Sequence, residues 1–570
     1  GVILDRYQQP LVKNTKVYFY YLDDGLYSAT QAIPTNQALQ MMTQEPQRVV
    51  YQLRRQYLYP TQLAHVLGYT APVTTQDLLK DDQLELSDWL GKMGLEQQYD
   101  QYLRGQNGRQ QYEVNTLGEK QRLLLEVLPI AGRDISTSID PYLSKVAYSF
   151  LGQMQGAVVV LDADTGQVLV LVSRPSFNAN DLSMTFIDPQ LEAQRQLNLR
   201  GYFQDEHKVF FNRAVSGVYP PGSIFKIVTA LAGLQKEAFD EHKTVLDEGI
   251  LQVGDYSYAN WLYTQSGATD GEIALVRAIA RSNDIYFYKA AEWTGPNSIA
   301  QQAREFGMGQ QTGIELPGEV AGLVPDPAWK EETTGERWFL GNTYHLGIGQ
   351  SDLLVTPLQA AQMMQVVVKG GELCAPRLLL EPIITTTFGE AGVADGSKTS
   401  NGRDASHCKS LGLTEKNLEL VLKGMIAACQ PGGTASLLFE LNQGFIDANQ
   451  AETGLGLLNQ GAVVCKTGTA EFGGQDERGR RRTHGWFVAG TTVDTAKMIE
   501  QIEQRAKVGG ETALFTAEEL ARWAELIKNQ GFPHRVVLVA MVEADDSIPY
   551  KEGSHHAAPI VKELLRWMGK

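Results

Sequence analysis

The apolar positions of this chain change period along its length, and the changes mark out its elements. From Gly156, two β-branched runs in "GAVVVLDADTGQVLVLVS" flank Asp164-Thr165-Gly166, the pattern of a β-hairpin. Mostly helical patterns follow. Three more strand-like runs, "GAVVCKTGTAEF", "HGWFVAGTTV" and "RVVLVAMVEA", then precede a terminal helical pattern in "HHAAPIVKELLRWM". Two strands, a helical block, three strands and a helix predict an α/β (α+β) domain in which helices cover one sheet. Residues 1–137 mix short strand-like runs such as "VYFYYL" with polar helical stretches rich in Gln and Tyr. No catalytic constellation is visible there, so they read as a mixed α+β scaffold domain ahead of a second domain, 138–570.

The segment 494–534 interrupts the strand pattern and reads as an insertion. In "FTAEELARWAELIKNQGFP", Thr516 and Glu519 form a capping box and Phe515 and Leu520 are placed as a hydrophobic staple. Gly531 and Pro533 end the helix. Two readings stand: a surface helical hairpin with its own small core, or a docking arm for a partner.

One helical stretch carries unexpected polarity. In "GVYPPGSIFKIVTALAGLQ", Pro220-Pro221-Gly222 forces a turn, and Ser223 and Lys226 follow among positions that are apolar on nearly every face. Spacing of i and i+3 puts the amine on the face of the hydroxyl. Burial disfavours the charged ammonium and favours a neutral amine, which is a base. A serine becomes a competent nucleophile when such a neighbour takes its proton. The alternative is an N-cap serine and a lysine that snorkels to water. Ser-x-x-Lys is a weak signal, since it recurs from Ser406 to Lys409 in a polar region.

Two further motifs add weight. "KTGT", Lys466-Thr467-Gly468-Thr469, lies on a strand, where glycine admits a close backbone and the lysine offers a charge for a carboxylate. "SND" supplies Ser282 and, two residues on, Asp284. Taken singly, the first reads as an edge-strand lysine before a turn and the second as a helix cap. The ordered set is far harder to obtain by chance.

Composition narrows the field. The chain has 570 residues, 43% hydrophobic and 20% charged, and a net charge of −16 that opposes attraction to nucleic acid. Its four cysteines form no C-x-x-C pair and its nine histidines no H-E-x-x-H, so no metal site is readable. No apolar stretch reaches the roughly 18 residues needed to span a bilayer. The chain opens at Gly1 without an initiator Met, which fits removal of an upstream segment.

The three motifs resemble those of the penicillin-binding proteins, active-site serine enzymes related to serine β-lactamases. "LLVTPLQAAQMM", "ELPGEVAGLVPDPAWK", "HGWFVAG" and "EGSHHAAPIVKELL" are similar to segments that flank the motifs in that family. "GVILDRYQQPLV", "GLEQQYDQYLRGQNG" and "TSIDPYLSKVA" resemble the pedestal of class B, monofunctional members. The resemblance implies a transpeptidase domain with an antiparallel sheet covered by helices and a non-catalytic, dimerisation-type pedestal at 1–137. It implies that Ser223 is the nucleophile, Lys226 its base and Ser282 a proton relay to the leaving amine. Lys466, Thr467 and Thr469, with Gly468 between them, would hold the substrate's terminal carboxylate, and the backbone N–H groups of Ser223 and Thr469 would form an oxyanion hole. No cofactor is implied.

The family usually has Asn where this chain has Asp284, and an ionised carboxylate only accepts hydrogen bonds. Asp284 therefore either holds Lys226 or is protonated. Some elongation-type members are similar in carrying Asp there. The expectation is a peptidoglycan D,D-transpeptidase of cell elongation that β-lactams acylate. Its partners would be stem peptides, a glycan-polymerising protein and the membrane, reached through an N-terminal anchor absent from this chain, with the catalytic part extracytoplasmic. A D,D-carboxypeptidase or β-lactamase, and a non-catalytic scaffold or β-lactam sensor, are the alternatives. In "GGQDERGRRRTHG", Arg478, Arg480, Arg481 and Arg482 form either a solvated basic turn or a guide for an anionic peptide.

Overall fold

The computed structural model describes all residues except 23–29, 82–83, 87, 117–119, 185–187, 382–407, 446–452, 478 and 509–513. It divides into two compact units. The first comprises Gly1–Thr137 together with Pro175–Phe210 and Glu315–Pro317. The segment Pro175–Phe210 belongs there through hydrogen bonds: Ser176 to the Thr61 carbonyl, Asn180 to both polar backbone groups of Tyr57, and Ser183 to Thr70. In this unit Val12–Tyr21 is the middle strand of an antiparallel sheet between Thr30–Ile33 and Val49–Tyr57. A buried pair, Arg55 with Glu96 at 2.9 Å, sits beside the Tyr57 hydroxyl.

The second unit is built on five antiparallel strands: β1 (Gly156–Asp162), β2 (Val168–Arg174), β3 (Val464–Gln475), β4 (Arg481–Thr492) and β5 (Arg535–Val542). Their order across the sheet is β2-β1-β5-β4-β3. All of β1 and all of β5 except Arg535 is buried. Both faces are therefore covered there, which explains why Val and Leu run on without polar alternation.

Helices supply the cover. In chain order they are α1 (Pro141–Leu151), α2 (Lys226–Gln235), α3 (Leu275–Arg281), α4 (Asp284–Thr294), α5 (Pro357–Val368), α6 (Glu415–Ala428), α7 (Thr495–Val508), α8 (Ala517–Gln530) and α9 (Ala558–Trp567). Helix α5 lies across β1, β4 and β5 and is buried along its whole length. Thr356 caps it in a capping box with Gln359, and Pro357 occupies the first turn where its missing N–H is harmless. Two of its buried glutamines reach backbone carbonyls: Gln365 donates to the Ala163 carbonyl at 3.0 Å and Gln359 to that of Ala321 at 2.7 Å.

The insertion between β4 and β5 is a helical pair, α7 and α8, with the Thr516–Glu519 capping box in place. Its apolar face does not form a separate small core. Trp523 stacks on Tyr142 of α1 at 5.2 Å between ring centroids and meets Trp567 of α9 at 5.9 Å, while Phe515 lies 5.5 Å from Trp567. The hairpin is thus joined to the main core through rings that sequence spacing could not pair.

Candidate active site

Three segments of the second unit meet. The first is the turn before α2. Gly222–Phe225 is a 3-10 turn, and the α-helix starts only at Lys226. The sequence placed Ser223 in the first α-helical turn; three residues per turn instead eclipse Ser223 and Lys226 on one face. Gly222 has φ +57°, and a Cβ there would stand 2.7 Å from the Thr469 carbonyl oxygen. Glycine thus lets the serine turn lie against the KTGT strand. The turn is pinned by the Gly222 N–H to Gly349 O at 2.8 Å and the Trp486 indole N–H to Pro220 O at 2.9 Å.

The second segment is the junction of α3 and α4. Ser282 closes α3 with φ +54°, a conformation uncommon outside glycine and concentrated at functional sites. Asn283 caps α4 by accepting the Tyr286 N–H at 2.9 Å. Its amide donates to Asp247 at 2.7 Å and Asp270 at 3.1 Å. The helix-cap reading of "SND" therefore holds for Asn283, and Asp284 is the residue that meets the lysine. Asp284 Oδ1 accepts from Lys226 Nζ at 2.7 Å and Oδ2 accepts the Trp261 N–H at 2.9 Å.

Strand β3 brings the third group. Lys466 Nζ donates to Ser282 Oγ at 2.8 Å and to Thr467 O at 3.1 Å. Lys226 Nζ reaches the same Oγ at 3.4 Å and the Ser282 carbonyl at 2.7 Å. One hydroxyl stands between two lysines, both fully buried. Burial pushes the Lys226 amine below its ordinary range, against the opposing pull of the Asp284 carboxylate. Lys466 is held well below its ordinary value, by burial first and then by the positive charge of Lys226.

Among the described residues no hydrogen bond joins Ser223 to Lys226, although the sequence expected the amine to reach the hydroxyl. An ammonium has three donors and no acceptor, and here all are directed to Ser282 and Asp284. To accept the Ser223 proton the amine must first release one of its own. Catalytic hydrogen bonds commonly tighten only when substrate is bound.

Thr467, nearly buried, donates from its hydroxyl to that of Thr434 at 2.8 Å. At Gly468 a Cβ would stand 3.0 Å from the Pro221 carbonyl oxygen and 3.1 Å from the Trp486 Cβ, so glycine again permits the approach. Thr469 is exposed, paired across the ladder with Gly485. A disulfide ties Cys465, the residue before Lys466, to Cys429 at the end of α6. A second joins Cys374 and Cys408.

Sequence reasoning missed four residues. Asp247, buried, accepts from the side chains of Asn260 and Asn283 and from the N–H groups of Gly249 and Asp270, at 2.7 to 3.0 Å. Asn260 in turn accepts the Asp284 N–H at 3.2 Å, and Trp261 completes the hold on the carboxylate. Thr434 is the fourth. A turn signal was present at Asp247-Glu248-Gly249, but nothing local tied it to a motif some 35 residues on. On the basic turn, Arg480 pairs with Asp476 and Arg482 with Asp546, each at 3.2 Å. Arg478 and Ser406 lie outside the described residues.

The profile of the penicillin binding protein transpeptidase domain matches residues 156–522, and that of the penicillin-binding protein dimerisation domain matches 48–137. The chain belongs to the penicillin-binding protein transpeptidase family. Peptidoglycan D,D-transpeptidase MrdA of Acinetobacter baumannii is 30% identical over 84% of this chain and 67% of its own length. The protein of that name in Salmonella typhimurium strain SL1344 is 33% identical over 57% of this chain. The chain spans about half the length of that relative, 52%. The dimerisation match and the MrdA relatives bear out the expected class B, elongation-type membership.

Among solved structures, PBP2 of Pseudomonas aeruginosa in complex with WCK 5153 has a TM-score of 0.65 and 25% identity, over 100% of this chain and 94% of that one. PBP2 of Helicobacter pylori in complex with MreC has a TM-score of 0.70, over 100% of this chain and 96% of that one. At 23% identity that likeness shows the penicillin-binding protein fold.

Proposed function

We propose that this penicillin-binding protein is a peptidoglycan D,D-transpeptidase that cross-links stem peptides during cell elongation. The observation that carries the reading is the Ser282 hydroxyl bonded by both Lys226 and Lys466, with Asp284 on Lys226. In the acylating state Lys226 is neutral and takes the Ser223 proton as Oγ attacks the penultimate D-Ala carbonyl. The proton passes through Ser282 to the leaving nitrogen, the C–N bond breaks, and D-Ala departs from a seryl ester. An amine on a second stem then attacks that ester and returns the proton to Ser223.

Lys466, Thr467 and Thr469 receive the terminal carboxylate of the donor. The N–H groups of Ser223 and Thr469 hold the tetrahedral oxygen, and such a donor is worth about 3 kcal/mol. β-Lactams acylate the same serine. The enzyme works outside the cytoplasm, at the membrane, beside a glycan-polymerising partner. Support for a partner comes from the MreC complex of the H. pylori neighbour and from a neighbour described as a peptidoglycan synthase complex.

The test separates transfer from hydrolysis. A thioester analogue of the donor stem, incubated with and without D-alanine as acceptor, is expected to give an aminolysis product that displaces hydrolysis as the amine rises. Hydrolysis alone at every amine concentration contradicts the reading.

A further inference from the structure

Thr434 is absorbed by none of the three motifs, yet it is bound to one of them and to the helix that ends at another. It lies in the loop that follows α6, and its backbone N–H donates to Ala280 O at 3.2 Å, in the helix that Ser282 closes. Next door, Arg281 donates to the Gly432 carbonyl at 2.6 Å. At Gly433 a Cβ would stand 2.3 Å from the Ala428 carbonyl oxygen, so the loop turns tightly against the end of α6. That end is tied to β3 by the Cys429–Cys465 disulfide. The loop is thus fixed both to the Ser282 junction and to the strand of Lys466.

Its side chain completes a short hydrogen-bond relay. Two hydroxyls 2.8 Å apart share one proton between them, and the other remains free to donate. Thr467 is nearly buried, whereas Thr434 is half-exposed. With Thr467 donating to Thr434, the free O–H is that of Thr434, and no acceptor for it is present among the described residues. An anionic oxygen placed beside Lys466 and Thr467 would supply one.

We infer that Thr434 is a substrate-binding residue whose hydroxyl donates a hydrogen bond to the terminal carboxylate of the donor peptide, extending the KTGT site by one residue. This rests on the proposed transpeptidase reading. A hydrogen bond to a charged group is the stronger kind, so its loss is selective for a ligand that carries the charge.

The experiment compares acylation rate constants of wild type, Thr434→Val and Thr434→Ser with benzylpenicillin and with its methyl ester, which lacks the carboxylate charge. Thr434→Val is expected to slow benzylpenicillin about tenfold while leaving the ester rate unchanged, and Thr434→Ser to stay within about twofold of wild type on both. An equal loss on acid and ester, or no loss on either, overturns the inference and leaves the transpeptidase reading standing. Failure of wild type to form an adduct with benzylpenicillin sinks both.

Discussion

Lys226 and Lys466 end at the same Ser282 hydroxyl, but the ground beneath them differs. Lys226 rises from the start of α2 onto a full set of acceptors: a carboxylate, a carbonyl and the hydroxyl. Lys466, on β3, has the hydroxyl and its neighbour's carbonyl, and its hydrogen bonds include no carboxylate. Both are buried, yet only the first is paired directly with a carboxylate, that of Asp284. The difference divides the labour on the proposed reading. Lys226 cycles a proton over a carboxylate that remains in place, whereas Lys466 awaits a negative charge that the substrate brings.

The largest expected effect of breaking this asymmetry is kinetic. Lys226→Met removes the base, and the rate of acylation by benzylpenicillin should fall by about 10²- to 10⁴-fold. In wild type the rate should rise with pH, because only the neutral amine accepts the serine proton, and level off at a pH below the ordinary lysine range. Asp284→Asn removes the charge that favours the ammonium, so the midpoint should move to still lower pH. A midpoint that moves upward in Asp284→Asn would break the assignment of that carboxylate to Lys226.

Stability should separate the lysines in sign. Lys226→Met strands the Asp284 carboxylate, and breaking a buried pair from one side costs about 3 kcal/mol. Lys466→Met removes a buried amino group with no directly paired carboxylate and puts apolar volume in its place, so a gain of roughly 1 kcal/mol is expected. Urea unfolding of the two variants checks both. Equal destabilisation would erase the distinction between the two environments.

What the sequence disclosed follows the range over which its signals act. Val-rich runs, the Asp164-Thr165-Gly166 turn and the Thr516–Glu519 box are local patterns, and the corresponding strands and caps are present. Ser223 and Lys226 were legible because a turn and an i, i+3 spacing suffice to align them. The 3-10 geometry was not, since it depends on Gly222 resting against Thr469 across the fold. Nor could one sequence choose between the two fates of Asp284. That depended on Trp261 and Asn260, which are brought to it by the turn around Asp247. Thr434 and the Cys429–Cys465 bridge lay hidden for the same reason: each pairs residues more than thirty positions apart with no periodic signal between them.

The central claim is that Ser223, activated from the Lys226 side, is the atom that becomes acylated. Intact mass after exposure to benzylpenicillin tests it most directly. Wild type should gain the mass of one benzylpenicillin and Ser223→Ala none. A wild type without the gain, or a Ser223→Ala protein that keeps it, contradicts the account.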